Sequence, residues 1–220
     1  MDIEKYKQLK TETERKGARL IAVSKTKPVE DIKQLFDAGQ RLFGENKVQE
    51  MVSKYEQLPK EIEWHLIGHL QSNKVKYAAP FVSLIHSIDS LKLLQEVNRQ
   101  AIKCNRVIDC LLQIFIASEE TKFGLNEAEL FELLEAAEFK ALQNVRICGL
   151  MGMASNTEDE VQIENEFKTL KGLFEKVKAG RFAGQVYFKE LSMGMSSDYQ
   201  LALKHGATLV RVGSIIFGNR

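Results

Sequence analysis

Residues 19–46 read RLIAVSKTKPVEDIKQLFDAGQRLFGEN, and the change of apolar period inside that stretch decides the fold. Arg19–Thr26 is a β-rich apolar run and Arg41–Asn46 is a second one. Between them Val29, Ile32 and Phe36 step by three or four residues, the period of a helix that lays one face on a sheet. Pro28 suits the opening turn of that helix and Gly39 its end. Strand, helix and strand in this order imply two parallel strands joined by a crossover.

The same unit continues along the chain. Further β-rich runs lie at Ile62–Gly68, Val82–Asp89, Val107–Ala117, Val145–Met153, Val186–Met193 and Thr208–Phe217, which brings the total to eight. Helical stripes fall between the runs, at Val48/Met51/Tyr55/Leu58, Leu130/Leu134/Ala137/Ala141 and Ile163/Phe167/Leu170/Phe174/Val177. Asn126 and the Thr157–Glu160 box are candidate helix caps, and Gly206 is a candidate helix end. Strict β-then-α order leaves an open doubly wound sheet or a closed barrel. Eight strands favour a (β/α)8 TIM barrel. The first β–α turn, Ser24-Lys25-Thr26-Lys27-Pro28, has neither of the glycine-rich phosphate loops that mark the open nucleotide-binding sheets. No linker or low-complexity tract interrupts the pattern, so residues 1–220 read as one domain. Ile3–Arg15, ahead of the first strand, is expected to close the helical ring in place of a helix after the eighth.

Composition narrows the function. The 220 residues carry 31 Lys+Arg against 30 Asp+Glu, a net charge of +1, without the basic excess of a domain that tracks phosphate backbones. No nucleic-acid partner is expected. With no signal-like N-terminus and no apolar run near 18 residues, no membrane association is expected and the cytoplasm is the default location. Cys104, Cys110 and Cys148 form no CxxC pair and read as reduced core thiols. His65 and His69 have the spacing of a helical metal pair, but they fall on a strand-like run with no third ligand, so no metal is expected.

Barrel active sites lie at the C-terminal ends of the strands, and the loops after strands seven and eight commonly bind phosphate. Here those loops read Leu191-Ser192-Met193-Gly194-Met195-Ser196-Ser197 and Val210-Arg211-Val212-Gly213-Ser214, both rich in Gly and Ser. They bind an anion well if Ser196 or Ser214 opens a helical turn. At the end of strand one, Lys25 and Lys27 share the face of Ile21 and Val23 in an extended reading and point into the barrel mouth. A lysine amine in a partly apolar mouth can form a Schiff base. Lysine plus phosphate site is the minimal equipment for pyridoxal 5′-phosphate. Arg211, placed near the pyridine nitrogen, would keep it unprotonated and the ring a weak electron sink; the alternative is a barrel-layer arginine paired with a carboxylate.

Six blocks in order carry a resemblance across nearly the whole chain. They are Ala22-Val23-Ser24-Lys25-Thr26-Lys27, Phe43-Gly44-Glu45-Asn46 with Val48-Gln49-Glu50, Trp64-His65-Leu66-Ile67-Gly68 with Leu70-Gln71 and Asn73-Lys74, Gly149-Leu150-Met151, Leu191–Ser196, and Val210–Ser214 with Ile216-Phe217-Gly218. The chain resembles the pyridoxal phosphate homeostasis protein family, barrels similar to the N-terminal domain of alanine racemase and of the fold-type III pyridoxal-phosphate-binding class. The resemblance implies that Lys25, not Lys27, carries the Schiff base. It implies that Ser192, Gly213 and Ser214 bind the cofactor phosphate, that Arg211 contacts the pyridine nitrogen and that Asn46 lies in the site. Lys122 and Gly124 also match, whereas Phe115 and Ala117 stand where many members have polar residues, and a basic tail found on some members is absent.

The function expected on this basis is non-catalytic. Lys25 holds pyridoxal phosphate reversibly and the protein buffers or delivers it, with apo pyridoxal-phosphate enzymes as partners and a monomer or weak dimer as the assembly. A racemase-like enzyme is the competing reading. The resemblance weighs against it, because the racemase takes a second acid/base tyrosine from a β-domain, and Tyr6, Tyr55, Tyr77, Tyr187 and Tyr199 all lie outside the strand-end blocks. A barrel that binds some other phosphorylated metabolite is the third possibility.

Overall fold

The computed structural model describes residues 1–118 and 123–218. Lys122, one of the residues matched above, lies outside them. Eight parallel strands form a closed barrel in sequence order: β1 (Arg19–Val23), β2 (Leu42–Glu45), β3 (Glu63–Leu66), β4 (Leu84–Ile88), β5 (Ile108–Ile114), β6 (Val145–Gly152), β7 (Glu190–Ser192) and β8 (Leu209–Val212). Closure is the pairing of β8 with β1, from Arg19 opposite Leu209 to Ala22 opposite Val212. The helices are α1 (Ile3–Arg15), α2 (Val29–Asp37), α3 (Val48–Gln57), α4 (Val75–Ala78), α5 (Leu91–Lys103), α6 (Glu127–Glu135), α7 (Ala137–Lys140), α8 (Glu160–Ala179), α9 (Tyr199–Lys204) and α10 (Ser214–Phe217).

Each strand is buried on two sides, and two cores follow. Outward-facing Leu20, Ala22, Phe43 and Trp64 meet the helices, where Phe167, Leu170 and Phe174 of α8 and Ile32 and Leu35 of α2 are buried. Inside the ring a smaller apolar cluster holds Ile21, Leu84, Leu111, Cys148, Met151 and Leu209. β4, buried at all five positions, serves both. Helix α1 lies on β1 and against α10, with the Asp2 N–H donating to the Ile216 carbonyl at 3.0 Å. It fills the gap in the ring, as its sequence position suggests. No helix among the described residues is long and apolar enough to cross a membrane.

Several element ends differ from the sequence reading, each for a local reason. The first strand stops at Val23, not Thr26, because Thr26 adopts φ +64° and the Lys27 N–H turns back to the Ser24 carbonyl at 3.0 Å. Lys25 and Lys27 therefore sit in a turn and do not share a strand face. The last apolar run splits at Gly213: Leu209–Val212 is strand, and Ser214–Phe217 is a helical turn. Strand seven shrinks to Glu190–Ser192, with Val186 exposed ahead of it. The Leu130–Ala141 stripe breaks at Ala136, whose extended ψ of 138° separates α6 from α7. Asp159 caps α8, accepting from the Val161 and Gln162 amides, and Thr157 supports the amide of Asp159 instead of capping the helix itself. Asn126 does cap α6, in a reciprocal box with Glu129.

Candidate functional site

At the C-terminal rim of the barrel a cleft of about 600 Å³ is lined by the ends of β1, β2, β3, β6, β7 and β8, within the usual range for a small-molecule site. Its residues come from loops, so each is placed by the strand it follows. Lys25 and Lys27 both line it and are half-buried. Lys27 Nζ donates to the Phe217 and Gly218 carbonyls at 3.3 Å each, at the end of α10.

Asn46 enters the cleft from the residue after β2. Its position is set by Gly68, beyond β3, which packs so tightly that a β-carbon there would lie 2.4 Å from the Asn46 carbonyl oxygen. Only glycine fits this approach. Val23, Ile67, Met153 and Met195 supply apolar wall.

The two Gly/Ser loops meet on the opposite side. The Met195 N–H donates to Asp198 Oδ1 at 2.5 Å, which folds the loop after β7 back on itself, and the Gly213 N–H donates to Ser196 Oγ at 3.3 Å, which joins it to the loop after β8. Ser214 opens α10, and the amides of Ser214 and Ile215 have no acceptor within that helix, as at any helix start. Ser196, Ser197, Gly213, Ser214 and Ile215 thus gather hydroxyl and amide donors at one end of the cleft.

Arg211 rises into the cleft from β8 and is almost fully buried. Its Nη1 donates to Ser192 Oγ at 2.5 Å and its Nη2 to the Gly152 carbonyl at 3.0 Å. Beneath it Ser192 Oγ lies 2.9 Å from His86 Nδ1, and His86 Nε2 lies 3.0 Å from His65 Nδ1. An arginine can only donate, so the arrangement that satisfies every atom runs one way: Arg211 to Ser192, the Ser192 hydroxyl to His86 Nδ1, and His86 Nε2–H to His65 Nδ1. Burial lowers His65 to about 3 and holds His86 well below its ordinary value, with the nearby His65, Arg211 and Arg19 adding to the shift on His86. Both rings are neutral. Burial also lowers Arg211, to about 10, against the pull of Asp198, which leaves it charged at neutral pH.

Of the six residues expected to form the site, Lys25, Asn46, Arg211, Gly213 and Ser214 line one cleft. Ser192 is not among the lining residues: it is fully buried under Arg211, its hydroxyl engaged with the arginine and with His86. Ser196, four residues on, does line the cleft. Sequence reading also missed His86, whose only signal is a histidine inside the otherwise apolar run of β4. His65 and His69 diverge, the first into the barrel and the second toward Asp89 at 3.5 Å, stacked on Phe123.

With a lysine, an anion cradle and an arginine around one barrel mouth, the comparisons with known proteins fall into place. The family model for "Alanine racemase, N-terminal domain" matches residues 3–220, so the chain is a barrel of that class. Alanine racemase from Bartonella henselae shares the fold at TM-score 0.74 and 18% identity over 99% of this chain and 58% of that one. Two closer groups of relatives define the family. The pyridoxal phosphate homeostasis protein of Aquifex aeolicus is 40% identical over 92% of this chain and 87% of its own, and that of Pasteurella multocida is 39% identical over 93% and 87%. PipY of Synechococcus elongatus PCC7942 superposes at TM-score 0.91 without PLP, and at 0.88 with PLP bound, at 36% identity and with at least 98% of both chains covered. The chain belongs to the pyridoxal phosphate homeostasis protein family.

Proposed function

We propose that this protein binds pyridoxal 5′-phosphate in the rim cleft, holds it as a Schiff base on Lys25, and serves the cytoplasmic homeostasis of that cofactor by buffering it and releasing it to apo-enzymes without turnover. The observation that carries the reading is the donor set. One cleft brings together a lysine amine, an arginine, and the amides and hydroxyls of Ser196, Ser197, Gly213 and Ser214. Those groups match an aldehyde, a pyridine nitrogen and a dianionic phosphate. The names of the relatives and the PLP-bound state of PipY support the same ligand.

When bound, the cofactor supplies an electrophilic aldehyde and an electron-withdrawing ring. The residues of the chain determine how far that capacity extends. Lys25 would hold the aldehyde carbon, its amine nitrogen bonding there as water leaves. Ser196, Gly213 and Ser214 would hold the phosphate through an oxygen-seeking hydroxyl and amide array at the start of α10. Arg211 would meet the pyridine nitrogen as a donor that cannot give up its proton, which leaves the ring a weak sink and disfavours carbanion chemistry. Asn46 would line the edge of the ring, held there by Gly68.

The test is a titration of the purified protein with pyridoxal phosphate, followed by visible absorbance, with incubation of the holo-protein with alanine in deuterated solvent. A new visible band that is lost in Lys25→Ala, with no deuterium entering the α-position of alanine, supports the carrier. Steady protein-dependent deuterium uptake supports the racemase-like alternative and removes the non-catalytic part of the proposal.

A further inference from the structure

Lys25 is bracketed by an ionic cluster, buried at Lys54 and Glu45 and partly exposed at Glu50, whose charged residues lie outside the cleft lining. Lys54, on α3, has a side chain only 6% exposed, and its ammonium has three acceptors: the Ser24 carbonyl at 2.7 Å, Glu45 Oε1 at 2.8 Å and Glu50 Oε1 at 2.7 Å. Those account for all three of its donors. The same two carboxylates reach the residues on either side of Lys25. The Ser24 hydroxyl donates to Glu45 Oε1 at 2.6 Å, and the Thr26 N–H donates to Glu50 Oε1 at 2.5 Å.

The turn that needs this support is an unusual one. Thr26 holds φ +64°, a left-handed conformation that a β-branched residue rarely adopts. Two bonds hold it there, from its own amide to Glu50 and from the Lys27 N–H to the Ser24 carbonyl, and the direction of Lys25, one position earlier, depends on that turn. A buried ion cluster is a poor source of stability in itself, since apolar residues of like volume commonly do as well. Glu45 even leaves its second oxygen, Oε2, buried without a partner. What the cluster does supply is geometry on both sides of one side chain.

We infer that Lys54, acting through Glu45 and Glu50, is the positioning residue for Lys25: it clamps the backbone at Ser24 and Thr26 so that the amine meets the cofactor aldehyde. This rests on the assignment of Lys25 proposed above. Lys54 touches neither cleft nor ligand.

The experiment compares wild type, Glu50→Gln, Lys54→Met, Thr26→Gly and the Thr26→Gly/Lys54→Met double variant. Each is titrated with pyridoxal phosphate, reduced with borohydride to measure occupancy of Lys25, and melted to measure the thermal midpoint. Lys54→Met is expected to raise the dissociation constant by about tenfold to a hundredfold, the scale of a misplacement near 1 Å, and Glu50→Gln by a smaller factor. Glycine at position 26 enters the left-handed conformation without the steric cost that threonine meets, so the double variant is expected to regain part of the Lys25 occupancy while its melting point stays low. A purely structural role would move affinity and melting point together and show no rescue, and that result overturns the inference. Unchanged affinity in folded Lys54→Met, or in Glu50→Gln should Lys54→Met fail to fold, also overturns it. Wild-type protein that fixes no cofactor on Lys25 fails the parent reading as well, which separates the two failures.

Discussion

Ser192 Oγ accepts from Arg211 at 2.5 Å and stands under the cleft as a support of the arginine. The Arg211 guanidinium is held on that hydroxyl and on the Gly152 carbonyl. The Asp198 carboxylate also acts on that guanidinium electrostatically, raising its affinity for the proton against the effect of burial.

Ser192→Ala is expected to cost roughly 1–3 kcal/mol in urea unfolding, since it strips one buried partner from Arg211 and the proton donor from His86. Cofactor affinity falls with it. Because the effect passes through Arg211, pyridoxal, which lacks the phosphate, is expected to weaken by the same factor as pyridoxal phosphate. A loss confined to the phosphorylated form would return Ser192 to the phosphate site.

Ser196→Ala and Ser214→Ala are expected to do the opposite. Hydrogen bonds to a charged group are worth about 1.5–3 kcal/mol, or roughly tenfold to a hundredfold in affinity, and these variants should lose that much for pyridoxal phosphate and little for pyridoxal. Parallel absorbance titrations with the two ligands separate the cases.

The pH dependence of stability follows from the neutral histidine pair. The folded His65 and His86 values lie below the ordinary 6.5, so both are unprotonated in either state above that pH and contribute nothing there. As pH falls below 6.5 the unfolded chain takes up protons that the folded chain refuses, and stability drops toward the folded value of about 3 for His65. The slope is at most about 1.4 kcal/mol per pH unit for each ring. Denaturant midpoints between pH 7 and 4 measure it, and a His65→Gln/His86→Gln variant, where folded, is expected to flatten the profile.

Gly68→Ala places a β-carbon 2.4 Å from the Asn46 carbonyl. The backbone at the end of β2 must move, at a cost of about 1–3 kcal/mol in stability by the usual scale of overpacking. Cofactor affinity is expected to fall several-fold although Gly68 is outside the cleft lining. Thermal melts and titrations read the two effects separately.

The barrel was legible in the sequence because eight β-rich runs recur along the chain and helical stripes can be read in four of the segments between them. Element ends were less so, since Ile215-Ile216-Phe217 is as apolar as a strand and only the break at Gly213 turns it into a helix. Barrel geometry says which strand ends to inspect, which led to the lysine pair, Arg211 and the Gly213-Ser214 loop, whereas Asn46 and the choice of Lys25 over Lys27 came only from the family resemblance. The role of Ser192 could not be read, because it depends on which way one side chain in a serine-rich loop points. His86 and its partners lie 21 and 106 positions apart in sequence and meet only across the barrel, so no spacing announces them. The clamp on Thr26 was hidden for the same reason: it requires a left-handed residue that no composition rule assigns to threonine.

The most direct measurement is borohydride reduction of the protein loaded with pyridoxal phosphate, followed by peptide mass spectrometry. The added mass is expected on the peptide containing Lys25, and at Lys25 rather than Lys27 on fragmentation, as the assignment proposed from the family resemblance requires. Reduction at Lys27, or no fixed cofactor at all, removes Lys25 from the centre of the site and leaves a barrel that binds its phosphate ligand without a covalent bond.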